Sequence, residues 1–242
     1  MHHLDSAPRF DLSEEFAPRL VAASLLAVCL AVAGCGASDS PKSDSRSEGA
    51  PAPSSSTASS EKAGVDLLAR IELPRDQVQG ECRLEDGALV IRAEQAAYLE
   101  APVDLPEHYM LDMQVQRLQG DGSLNVGLVV GPSQVMSVVE GWRNRQHGLS
   151  LVGGVPGNQN RTTTTRQIFQ GAAAKVRLRY VVSPNEVTVL YNGDVVTQWK
   201  GDPQELSLDV NTFPPRTPRR LMIGGWGATL RVSEARLIEM SP

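Results

Sequence analysis

Lys175-Val-Arg-Leu-Arg-Tyr-Val-Val182, Ser183-Pro184-Asn185, Val187-Thr-Val-Leu-Tyr191, Asn192-Gly193 and Asp194-Val-Val-Thr-Gln-Trp199 follow one another along the chain. In the first run charged and apolar residues alternate, so one face of a strand meets water and the other a core. Ser-Pro-Asn is turn chemistry, because Pro presets φ and Asn bonds its own backbone. Asn-Gly between two β-branched runs supplies the paired positive φ angles of a type I′ hairpin turn. The stretch therefore predicts two consecutive hairpins.

Working outward, Glu85-Asp86 reads as a turn before a strand at Gly87-Ala-Leu-Val-Ile91. Tyr109-Met-Leu-Asp-Met-Gln-Val115 and Leu124-Asn-Val-Gly-Leu-Val-Val130 flank Gly120-Asp121-Gly122, which predicts another hairpin. Arg220-Leu-Met-Ile223, Thr229-Leu-Arg-Val232 and Ala235-Arg-Leu-Ile-Glu239 read as three closing strands. No long segment keeps a helical period. Roughly ten to twelve short strands with turn signals between them predict an all-β fold, an antiparallel β-sandwich or jelly roll over 65–242.

The residues before this domain have different chemistry. Leu20 to Gly34 is fifteen uncharged residues, LVAASLLAVCLAVAG. A spanning helix needs about 20 apolar residues, so the run fits the apolar core of a secretory signal. Val32-Ala33-Gly34-Cys35 looks like a bacterial lipobox, with Cys35 as the lipidation site. Acidic residues Asp5, Asp11, Glu14 and Glu15 before it depart from the usual basic lead. Gly36 to Gly64 holds ten serines and no Val, Ile, Leu, Met or aromatic residue, so it reads as a disordered tether. Its 29 residues reach roughly 30 Å. The organisation is thus a signal peptide over 1–35, a tether over 36–64 and a domain over 65–242. The implied location is lipid-anchored to a bacterial membrane after export.

Charge and cysteine content exclude several classes. A net charge of −5 argues against nucleic-acid binding, which needs a basic surface. Of three cysteines only Cys82 falls in the domain, where a lone cysteine reads as a small buried apolar residue. No Cys/His spacing suggests a metal and no motif calls for a cofactor. Residues 65–140 carry 5 basic and 13 acidic side chains, and residues 141–242 carry 13 and 7. That asymmetry reads as compensation between sheets or as an arginine-bearing patch for an anionic glycan.

A resemblance rests on Gly80-Glu-Cys-Arg-Leu-Glu-Asp-Gly-Ala-Leu89, Tyr109-Met-Leu-Asp-Met-Gln-Val-Gln-Arg117, His147-Gly-Leu-Ser-Leu-Val152, Tyr191-Asn-Gly-Asp194 and Trp199-Lys-Gly-Asp202. It continues in Ile223-Gly-Gly-Trp-Gly227 and Leu230-Arg-Val-Ser233. With this order the domain resembles a concanavalin A-like (LamG-like) sandwich. More narrowly, it is similar to a domain of planctomycete-type lipoproteins related to the 3-keto-disaccharide hydrolase family. The resemblance implies a sandwich fold and a glycoside-acting relative. Two departures weigh against that chemistry: Cys82 stands where relatives carry Trp, and Asn125-Val-Gly-Leu128 replaces a common Asn-Ser-Gly segment.

Catalytic residues are not indicated. Glycoside hydrolases on such sandwiches place carboxylates as Glu-x-Asp-x-x-Glu on one strand, so that alternation aims them into one cleft; that triplet is missing here. A binding surface is better supported, because sugars are held by aromatic faces beside planar hydrogen-bonding groups. Trp142, Arg143, Asn144, Arg145 and His147 concentrate these in one loop, and Asn158, Asn160 and Arg161 add to them. Thr162 to Thr165 predicts a polar strand. Core packing is the plainer reading of Trp142, and the expected one for Trp199 and Trp226. The sequence thus favours a non-catalytic lipoprotein binding carbohydrate or another envelope polymer, over a glycoside-acting enzyme or a purely structural envelope protein.

Overall fold

Tyr109 and Val129 are 20 positions apart on one strand, which at about 3.3 Å per residue would separate them by roughly 66 Å. Instead the Tyr109 hydroxyl donates to the Val129 carbonyl at 3.0 Å and accepts from the Val129 amide at 3.1 Å. The strand folds back on itself, and that bend makes the sandwich. The structure is a computed structural model that describes residues 64–242 apart from 143, 144, 172 and 173. The signal segment, Cys35 and the tether as far as residue 63 lie outside the described residues, as do Arg143 and Asn144.

The strands in order are β1 (Val65–Asp66), β2 (Gln77–Gln79), β3 (Glu81–Glu85), β4 (Ala88–Glu100) and β5 (Tyr109–Val130). They continue as β6 (Ser133–Gly141), β7 (Gln146–Leu149), β8 (Leu151–Val152), β9 (Val155–Pro156) and β10 (Thr164–Thr165). The last are β11 (Lys175–Ser183), β12 (Glu186–Tyr191), β13 (Asp194–Lys200), β14 (Leu206–Ser207) and β15 (Met222–Glu239). All pairings are antiparallel, in one 12-stranded sheet and one of three strands. The fold is the predicted all-β sandwich.

Two hairpins follow the predicted chemistry. Asn192 and Gly193, at φ 49° and 96°, turn β12 into β13, and β11 meets β12 at Ser183 opposite Glu186. The Gly120-Asp121-Gly122 hairpin does not form. β5 instead runs 22 residues through it, because β15 pairs along both halves, from Tyr109 opposite Glu239 to Gly127 opposite Met222. For the same reason Met222 to Glu239 is one 18-residue strand rather than three short ones.

Bulges keep the apolar side of these long strands inward. In β5 the core residues are Leu111, Met113 and Val115 before the bend, and Leu124, Val126, Leu128 and Val130 after it. The odd-to-even change occurs at Leu118, which the pairing with β15 skips between Arg117 and Gln119. β15 changes likewise, from Ile223 to Leu230 and Val232, then to Ala235 and Leu237, with register shifts beside Trp226 and Val232. A bulge is the device by which a strand changes face without ending. The two halves of β5 and β15 thereby close on one core with Val176, Leu178, Tyr180, Val182, Val187, Val189 and Trp199. Burying each aliphatic side chain contributes about 1.5–3 kcal/mol.

Trp199 is in the core as expected, and Trp226 is not: it is 44% exposed. Ile223 faces the core, so strict alternation puts Trp226 on the opposite face with Gly224 and Met222. Cys82 is buried, and its thiol is pushed up to about 12 by burial and by Glu81. Only Thr164–Thr165 of the threonine run is a strand. Gly64, assigned to the tether from sequence, already lies against Leu237 and Ile238.

Candidate ligand-binding face

The outer face of β4, β15, β5, β6 and β7 is covered on its two flanks. On one side Phe213 packs edge-on to Tyr98 and to Trp226, at centroid distances of 5.6 and 6.5 Å, over Met136, Val138 and Met222. On the other side Gly157 sits over Gly148, with no room for a Cβ on either. Gly157 is also the floor for Trp142, since a Cβ there would fall 2.3 Å from the indole. Trp142 is half-exposed on that flank, as Trp226 is on the other.

Register places the two tryptophans relative to each other. Trp226 pairs with Ser123 of β5, and a Cβ on Gly141, next to Trp142, would lie 3.5 Å from the Ser123 Cβ. Two strand spacings, about 10 Å, therefore separate the backbones of Trp226 and Gly141, the residue before Trp142. Between them Ser123 and Asn125 are buried polar residues, and the Asn125 Oδ1 has no hydrogen-bond partner among the described residues. Half-exposed aromatic rings suit a ligand with apolar faces.

The turn that carries Trp142 is strained. Glu140, Trp142 and Arg145 have φ of 53°, 50° and 55°, the left-handed region. Each such residue costs about 1–3 kcal/mol unless its surroundings enforce it. The enforcing contacts are buried. The Glu140 side chain is fully buried, and its Oε1 accepts from the Ile168 amide and, at 2.8 Å, from the Phe169 amide. Arg117 Nη1 lies 2.9 Å from Oε2, and the Arg117 guanidinium stacks 5.0 Å from the Phe169 ring. His147 is wholly buried; its Nδ1 accepts from the Glu140 amide at 3.1 Å and its Nε2 lies 2.6 Å from the Arg166 carbonyl. An amide only donates and a carbonyl only accepts, so the imidazole is the neutral tautomer with its proton on Nε2. Burial, with the Arg166 charge, holds its pKa below the usual 6.5 despite the Arg166 carbonyl and the Glu140 carboxylate.

The residues singled out from sequence therefore divide. Trp142 and Arg145 are at the surface. Arg161 is also exposed, but paired with Glu205 at 2.5 Å, and Asn158 is half-buried. His147 and Asn160 are corrected from ligand contacts to internal supports. Asn160 Nδ2 donates to the Leu149 and Val155 carbonyls and its Oδ1 accepts from the Thr162 amide and hydroxyl, which shapes the loop under Trp142. Sequence reasoning missed Trp226, Ser123, Asn125 and the Arg117–Glu140 pair. The spacing of Trp226 from Ile223 is the one signal that pointed to it.

The buried acids do not converge on this face. Asp112 is held by Arg177 and Arg179, at 2.6 and 3.0 Å, which ties the two charge-asymmetric halves together. Asp76 and Glu100 line a separate cavity of about 180 Å³ with Arg75, Arg216 and Arg220. There Glu100 Oε1 accepts from the Arg216 and Thr217 amides. Burial raises the Asp76 carboxyl, but hydrogen bonds from Arg75 and the Glu72 amide, with the charges of Arg75 and Arg216, bring it below the usual range. A carboxyl held ionised in this way is unsuited to act as a general acid. A groove of about 1040 Å³ follows the strand bends, lined by Gln79, Glu81, Arg92, Glu94, Gln119 and Thr229.

No family model and no curated protein matches the chain. Solved structures do. The apo Crh5 transglycosylase is similar at 15% identity and TM-score 0.52, over 75% of this chain and 85% of that one. Crh5 in complex with NAG gives 15% and 0.50, over 75% and 88%. The carbohydrate binding module CBM66 from Bacillus subtilis gives 8% and 0.49, over 67% and 94%. The fold is an antiparallel β-sandwich. At these identities the likeness is one of fold.

Proposed function

We propose that this protein is an exported lipoprotein whose sandwich binds carbohydrate of the cell envelope without catalysis, through Trp142 and Trp226. The observation that carries the reading is the pair of half-exposed tryptophans on one face, on strands about two spacings apart across Ser123. Soluble domains bury most of their tryptophan surface, and this domain exposes two of its three indoles on the same side. The same fold holds NAG in the Crh5 transglycosylase, which supports a sugar as the ligand class. Engagement of the buried acids by internal amides and guanidinium groups favours binding over hydrolysis. Within the concanavalin A-like group, the chain stands beside the 3-keto-disaccharide hydrolase relatives that its strand-and-turn pattern resembles, without their chemistry.

The test is retention on several insoluble polysaccharide classes, chitin included, with affinity measured for soluble oligomers of whichever is retained. Trp142→Ala and Trp226→Ala are each expected to weaken binding about 30-fold, the equivalent of about 2 kcal/mol for a central aromatic contact. Binding unchanged in both variants, or none to any class, would count against the reading.

Anchoring is tested separately. A metabolic fatty-acid label is expected on the full chain in a bacterial host and is expected to vanish in Cys35→Ser; equal labelling of both would sink the assignment. The tether, roughly 30 Å in reach, would then let the sandwich meet a polymer clear of the membrane surface.

A further inference from the structure

We propose that the buried Arg117, Glu140 and His147 are positioning residues for Trp142, and that protonating His147 releases the tryptophan from the pose in which it meets ligand. This rests on the reading of Trp142 as a ligand contact. Glu140 opens the turn and Trp142 follows two residues later, while Gly141 pairs with Gln146 to close it. Three left-handed non-glycine residues in this short turn do not hold themselves, and the contacts that hold them converge on Glu140. Its carboxylate is fastened to Arg117 and to the Ile168 and Phe169 amides, and its amide is fastened to His147.

Histidine is the side chain whose unperturbed titration lies nearest neutral pH. Protonation places a second N–H on Nδ1, facing the Glu140 N–H that it now accepts from. Two donors cannot bond, so the amide that opens the strained turn loses its partner. The charged groups around the ring are the Glu140 carboxylate from β6, the Arg166 guanidinium from the segment after β10 and, behind Glu140, Arg117 of β5. The first favours the imidazolium and the two arginines oppose it. The unfolded chain takes up the proton more readily than the folded one. The contribution of neutral His147 is therefore fully present above pH 6.5 and is lost as pH falls below it toward the depressed folded value.

The experiment uses the full chain carrying Trp226→Phe. Of the three tryptophans this leaves Trp142 exposed and Trp199 buried. Acrylamide quenching and emission maximum are followed from about pH 8 down to about pH 4.5, alongside far-ultraviolet circular dichroism. Quenching is expected to rise about two-fold with a midpoint below 6.5 while the strand signal stays constant. In His147→Asn the amide oxygen still accepts from Glu140 and cannot titrate, so the profile is expected to be flat. A flat profile in the parent, a transition that persists in His147→Asn, or loss of the strand signal in step with quenching would each overturn the proposal. Failure to bind any polysaccharide at pH 8, with the quenching transition intact and absent from His147→Asn, would overturn the ligand reading and leave the positioning of Trp142 standing.

Discussion

Gly122→Ala is expected to destabilise the sandwich by more than about 3 kcal/mol, beyond the usual cost of one added methylene. The reason is backbone against backbone. A Cβ on Gly122 would lie 1.7 Å from the Trp226 carbonyl oxygen and 2.5 Å from the Gly227 carbonyl carbon. Those atoms belong to β15, which β4 and β5 grip from both sides, so they cannot retreat as a flexible side chain would. Gly87→Ala is the control, because its Cβ meets nothing within 4 Å and only its φ of 73° is unsuited to alanine. That change should cost about 1–2 kcal/mol. Urea midpoints at unchanged m-value compare the two. If Gly122→Ala proves no worse than Gly87→Ala, the close approach of β5 and β15 at the bend is wrong.

The second large effect lies at the buried ion pair. Arg117→Met is expected to cost about 3–5 kcal/mol, since it leaves the Glu140 carboxylate charged with its guanidinium partner gone. Glu140→Gln retains an acceptor for the Ile168 and Phe169 amides, and should cost less on its own. In the double variant no buried charge is left unpaired, so Arg117→Met with Glu140→Gln should recover stability relative to Arg117→Met. A double-mutant cycle by urea unfolding gives the coupling, expected at about 1–3 kcal/mol. Additive losses would show that the two groups do not act as a pair. The contrast with the surface pairs is physical. Arg161–Glu205 and Arg166–Asp194 sit in water, where such contacts contribute about 1 kcal/mol or less.

Local chemistry was sufficient where neighbours in sequence are also neighbours in space. Alternation over Lys175 to Val182, Ser-Pro-Asn and Asn192-Gly193 determined two hairpins, because a turn needs only its own φ angles and the residues beside it. The same reasoning failed at Gly120-Asp121-Gly122. Its turn residues were read locally, but β15, about a hundred residues later, pairs straight through them and converts a turn signal into a bend. Trp226 failed for a related reason. Its exposure follows from which face Ile223 buries, and that depends on the opposing layer.

The candidate site shows the same division. Composition and motifs by themselves determined that the chain combines an uncharged apolar run before Cys35, a serine-rich segment and an alternating β domain, and that Trp142 lies in a stretch rich in hydrogen-bonding groups. Only the tertiary structure decided that His147 and Asn160 turn inward as supports, that Arg117 reaches Glu140, and that Trp142 shares a face with Trp226. Residue type and spacing report how a strand alternates. They do not report which strands lie side by side, and in a sandwich it is the pairing of distant strands that decides which side chains meet.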